Sequence, residues 1–244
     1  MKPSSEPKRS PDGFLERGAA VTRLEAFVDA AFAFAVTLMV ISLDAIPSSI
    51  PAMIDALKGV PAFAASFAQI MLFWSAHATW SRRYGLDDGK SQRLSMVLVF
   101  LVLVYVYPLK ILFGNFFAWI SRGWLPAAAD LQTLDDLRGM FVIYGIAFAT
   151  MSWCVASLYR HALACADRLA LSPDEVAWTR AEVVRWHYTI AIAMLSIGLA
   201  FALPARIPPW MLGLPGMVYG LLGLTGLMMV RAHRKFLADP APRA

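Results

Sequence analysis

Six predominantly apolar runs leave this chain few ways to fold; they lie near residues 20–43, 61–81, 94–117, 139–159, 187–203 and 210–230. A helix satisfies its own backbone hydrogen bonds in lipid and crosses a hydrocarbon core in about 20 residues. The runs therefore predict an all-α integral membrane protein with six transmembrane helices. Composition agrees, because only 16% of residues are charged and 59% are hydrophobic, where a soluble domain averages about 25% charged. The fifth run is the weakest by hydropathy. Ser172-Pro173-Asp174-Glu175 nevertheless reads as an N-cap, an N1 proline and a capping-box acid, so this helix starts well before its apolar part.

The basic residues set the orientation. The segment up to Arg23 carries five Lys or Arg, and the links between runs two and three and between four and five carry four each. The C-tail carries four more, which makes seventeen; the opposite side holds Lys58, Lys110, Arg122, Arg138 and Arg206. By the positive-inside rule both termini are expected in the cytoplasm. Trp119, Trp124, Trp178, Trp186 and Trp210 flank the runs as an aromatic belt would. The net charge of +5 is scattered between apolar runs, which gives no patch for nucleic acid. Residues 1–19 lack the apolar core of a signal peptide and are expected to be a short mobile tail. Gly216 and Gly220 are spaced for close helix contact, within a subunit or between subunits.

Motifs for catalysis are missing: there is no HExxH, no glycine-rich phosphate loop, no GxSxG elbow and no Cys or His cluster at metal spacing. Cys154 and Cys165 read as small packing thiols, and His161, His187 and His233 as side chains at helix ends. His77 differs, because it lies inside the second run, three residues after Trp74. An ionisable group at that depth needs a partner. It serves either as a hydrogen bond between helices or in gating.

The first run begins with Arg23, Glu25 and Asp29. At about 100° per residue Arg23, Ala30, Phe34, Leu38 and Ile41 fall within roughly 80° of each other, while Asp29 points about 140° from Phe34. This apolar stripe is either ordinary helix packing or a functional surface, and Asp29 either caps or pairs locally. Asp29 and His77 could meet if the two helices pack antiparallel.

Arg23-xxx-Phe27-Val28-Asp29, followed by Ala33-xxx-Thr37-Leu38, resembles the RxxxFSD signature and first-helix start of the transmembrane protein 175 family of potassium channels. Trp74-xx-His77 is similar to the tryptophan and histidine of that family's second helix, and Pro108 falls where its third helix carries proline. The resemblance covers about the first half of the chain. It implies a homotetramer with a pore lined by the first helix and no TVGYG-type filter. Carried over, the pore positions are Phe34, Thr37, Leu38 and Ile41, and a network of Arg23, Phe27, Asp29, Trp74 and His77 joins helices one and two. Val28 stands for the signature serine, and Phe34 for the usual isoleucine or leucine at the first constriction. Asp44 and Asp55 are candidates for drawing cations to the outer mouth.

The expectation is a multi-pass protein of the cell inner membrane, with a channel domain at residues 20–235 and short tails at 1–19 and 236–244. It would be a homotetrameric channel passing potassium modestly better than sodium through a hydrophobic constriction. Lipid and monovalent cations would be its partners, with no nucleic acid, no chemical step, no metal and no cofactor. A proton-coupled secondary transporter using Asp29 and His77 is the alternative.

Overall fold

A computed structural model describes residues 9–10, 13–18, 20–41, 47–204 and 208–238. All named elements are helical: α1 Arg23–Ile41, α2 Ile50–Leu57, α3 Val60–Tyr84, α4 Gly89–Ile120, α5 Leu134–Ala164 and α6 Pro173–Ala202. The last run follows as alternating 3-10 and α turns, with α7 Leu214–Met217 and α8 Thr225–Ala238. Among the described residues α4, α5, α6 and the segment Met211–Ala238 are long and apolar enough to span a bilayer; α2 and α3, bent by 42° at their junction, make a fifth if taken as one span. α1 stands apart from these, with three charged residues, Arg23, Glu25 and Asp29, in its first two turns.

Local chemistry sets the helix ends. Ser172 caps α6 with the reciprocal capping box to Glu175 that the sequence implies, and Thr133 and Asp136 do the same for α5. Asp88 caps α4 through the backbone N–H groups of Lys90 and Ser91. Pro108 lies inside α4, where it takes away one backbone donor without ending the helix.

The core draws on α1, α3, α4, α5 and α6, with an aromatic cluster between α3, α5 and α6. Trp186 stacks on Phe73 at 5.7 Å and Phe148 meets Phe73 edge-on at 5.6 Å. Trp186 is 2% exposed, so it is a packing residue and not part of an interfacial belt, whereas Trp124 is 69% exposed. Gly216 packs within the subunit, since a Cβ there would meet the Phe141 ring at 3.3 Å. Gly220 has open space around it.

Residues 13–18, within the stretch that the sequence suggested was mobile, are packed. Phe14 is 1% exposed, meets Tyr84 edge-on, and has the Arg83 guanidinium 4.2 Å above its ring. Both Glu175 oxygens accept from Arg17 at 2.9 Å, and they also accept the Leu15 and Ser172 N–H groups. Gly18 and Gly85 let this strap approach: Gly85 caps α3 at φ 57°, and a Cβ there would meet the Arg17 carbonyl at 2.7 Å. A bidentate pair this far out of water holds the segment, because separating it would leave a charge uncompensated. The strap bridges the end of α3 and the start of α6.

Candidate functional site

α1 packs against α3 and α4, and the two sides of the helix differ sharply. Leu24, Val28, Phe32, Ala35 and Met39 are buried, following the three- and four-residue spacing of a single helix face. The opposite side, Arg23, Ala26, Phe27, Ala30, Ala33, Phe34, Thr37 and Val40, is exposed along its whole length. Phe27 and Phe34, seven residues apart, are 55% and 54% exposed on this face. Leu38 is half-buried at its edge. The Ile41 side chain lies outside the described residues, as does Asp44.

Arg23, Ala30 and Phe34 of the stripe therefore share one exposed surface, whereas Leu38 at its edge packs partly against the subunit's own core. Thr37 donates its hydroxyl to the Ala33 carbonyl at 3.0 Å, which satisfies the polar group within the helix. Val40, 45% exposed, belongs to the same face. Its position one turn from Thr37 is readable from helical spacing, although the resemblance singles out only Phe34, Thr37, Leu38 and Ile41.

The expected network is made in part. Asp29 Oδ1 accepts the indole N–H of Trp74 at 2.8 Å, which ties α1 to α3. His77, 1% exposed, bonds through Nε2 to the Ser95 hydroxyl at 2.9 Å, which ties α3 to α4. Val28, at the signature serine's place, is fully buried among apolar neighbours. Asp29 and His77 thus have separate partners, and the structure places no hydrogen bond between them among the described residues. Arg23 and Phe27 face outward instead of sitting between the helices. Ser95 was missed, since one serine in an apolar helix gives no signal until its neighbour is known. Asp55 pairs with Lys58 at 2.7 Å, so its charge is locally balanced.

A cavity of about 620 Å³ lies between α4, α5 and the last segment, lined by Gln69, Asn115, Trp119, Phe141, Tyr144 and Tyr219 among others. No α1 residue reaches it. The α1 face and the cavity are separate features.

The helical fold with several helices apolar enough to span a bilayer defines a multi-pass membrane protein, and one face of its first helix has no partner within the described residues of the subunit. A family model described as the endosomal/lysosomal potassium channel TMEM175 matches residues 23–108. A potassium channel of Marivirga tractuosa is 30% identical over 209 residues, covering 81% of this chain and 79% of that protein. The chain belongs to the TMEM175 family. The crystal structure of a variant of the potassium channel MtTMEM175, in complex with a nanobody–MBP fusion protein, is similar with a TM-score of 0.75 and 26% identity, covering 95% of this chain and 100% of that one. The fold is also that of a lysosomal potassium-selective channel TMEM175 homolog from Chamaesiphon minutus, with a TM-score of 0.54 and 20% identity over 86% of this chain and 96% of that one.

Proposed function

We propose that the chain forms a potassium channel of the cell inner membrane, with both termini cytoplasmic and six spans per subunit. Four copies place the outward face of α1 on a common axis, and ions pass through the apolar constriction between them. The observation that carries this reading is the continuous exposed stripe from Arg23 to Val40 on a helix whose other side is buried. Family membership supports it.

Phe34, Thr37, Leu38 and Ile41 form the narrow part. An apolar ring replaces no hydration water, so an ion crosses by shedding some of its shell, and potassium sheds water more readily than sodium. Such selectivity is modest beside that of a carbonyl-lined filter. Four Phe34 rings narrow the first constriction and set a dewetting barrier there. Arg23 and Phe27 lie on the same face at the basic end, while the Asp29–Trp74 and His77–Ser95 bonds hold α1 and α3 in register with α4. A proton-coupled transporter would need Asp29 and His77 to exchange a proton, and their separate partners favour the channel.

Purified protein in liposomes should pass potassium passively down its gradient, and Ile41→Asn should weaken discrimination against sodium. Wild-type tetramers that pass no potassium would overturn the channel. Flux that saturates and requires a proton gradient would replace it with the transporter.

A further inference from the structure

Away from α1, where the start of α4 meets the end of α5, three side chains of different metal-ligating types converge. Asp88 is fixed first: Oδ1 accepts the Lys90 and Ser91 N–H groups at 3.2 and 3.0 Å and the Ser91 hydroxyl at 3.1 Å. Both oxygens face Nε2 of His161, Oδ2 at 2.8 Å and Oδ1 at 3.0 Å. Cys165, one helical turn after His161, brings Sγ to 4.0 Å from the same nitrogen, and the thiol is free. One donor atom from each of the three residues lies within 4.8 Å of the others.

A positive group already bridges two of them. The Arg168 guanidinium donates to Asp88 Oδ2 at 3.0 Å and to Cys165 Sγ at 3.4 Å. Its side chain is 59% exposed, so it can turn into water and clear the space without leaving a buried charge behind.

We propose that Asp88, His161 and Cys165 bind one thiophilic divalent transition-metal ion of the zinc class. Carboxylate, imidazole and thiolate together suit zinc or cobalt, whereas the hard cations magnesium, calcium and potassium prefer all-oxygen sites. Three protein ligands leave the fourth tetrahedral position to water. Metal bonds of about 2.0 Å to N or O and about 2.3 Å to S put neighbouring donors roughly 3.3–3.6 Å apart. The O–N pair at 2.8 Å opens and the N–S pair at 4.0 Å closes to reach that spacing. Binding converts the Cys165 thiol to thiolate and releases its proton to the buffer. The ion then cross-links the start of α4 to the end of α5, on the end of the bundle that carries the strap.

Cobalt and zinc titrations of the full-length protein in detergent test this. One ion per subunit is expected, with a near-ultraviolet thiolate-to-cobalt charge-transfer band that disappears in Cys165→Ser. His161→Ala should weaken binding at least about tenfold, the effect that losing even an outer-shell partner reaches. Arg168→Ala, which removes the competing cation and no ligand, should bind more tightly than wild type, while His187→Ala and His233→Ala should leave affinity unchanged. Unaltered binding in both Cys165→Ser and His161→Ala, absence of the cobalt band in wild type, or no binding by wild type and Arg168→Ala alike would overturn the site.

Discussion

At the scale of single residues, the polar groups on α1 and α3 act as fasteners. Trp74→Phe removes the donor facing Asp29 and leaves a carboxylate without its partner, while Asp29→Asn keeps an acceptor in place. Trp74→Phe should therefore destabilise by about 0.5–1.5 kcal/mol, because the bond is exposed and water can take the donor's place, and Asp29→Asn by less. Thermal unfolding in detergent reads the order. Ser95→Ala orphans a histidine that is 1% exposed, at an expected cost of about 1–3 kcal/mol. The residues with the plainest chemistry, Phe34 and Thr37, have little to do with stability because they touch so little of their own subunit. Their substitution should change conduction and leave unfolding nearly unaltered.

At the scale of elements, the strap and α1 are neighbours in the chain. The Gly18 N–H donates to the Arg82 carbonyl and α1 starts a few residues later, at Arg23, while α1 itself packs on α3 and α4. Arg17→Ala strands the Glu175 carboxylate, whose side chain is 5% exposed. Breaking a buried pair by removing one partner costs about 3–5 kcal/mol. The replacement should expose residues 13–18 to limited proteolysis while the α5–α6 core persists, and equal resistance in wild type and variant would show that Phe14 packing alone holds the segment. α6 illustrates how element boundaries become legible, because Ser172-Pro173-Asp174-Glu175 announces its start. The same Glu175 also receives Arg17, 158 residues earlier in the chain, and no local pattern foretells that.

At the scale of the whole molecule, the exposed α1 face either closes around an axis or meets lipid, and cross-linking separates the two. Phe34→Cys or Thr37→Cys, made in a background with Cys154 and Cys165 replaced, should form disulfide-linked dimers in oxidising membranes. Val28→Cys, on the buried side, should not. Cross-linking absent from all three would place the α1 face against lipid and remove the pore from it.

Six apolar runs, their caps and the distribution of Lys and Arg were enough to read an all-helical membrane protein, and Arg23-xxx-Phe27-Val28-Asp29 was enough to read its family. Those signals are local, since lipid makes each helix satisfy its own backbone and every run can be recognised without knowing its neighbours. Partners across helices are a different matter. Trp74 for Asp29, Ser95 for His77, Arg17 for Glu175 and Asp88 for His161 all depend on how helices rotate and slide against each other. The same rotation buried Trp186, which sequence placed at the interface, and turned Phe34 and Thr37 outward. In an apolar chain nearly every helix face is greasy enough to be core, so packing alone decides which one is left over.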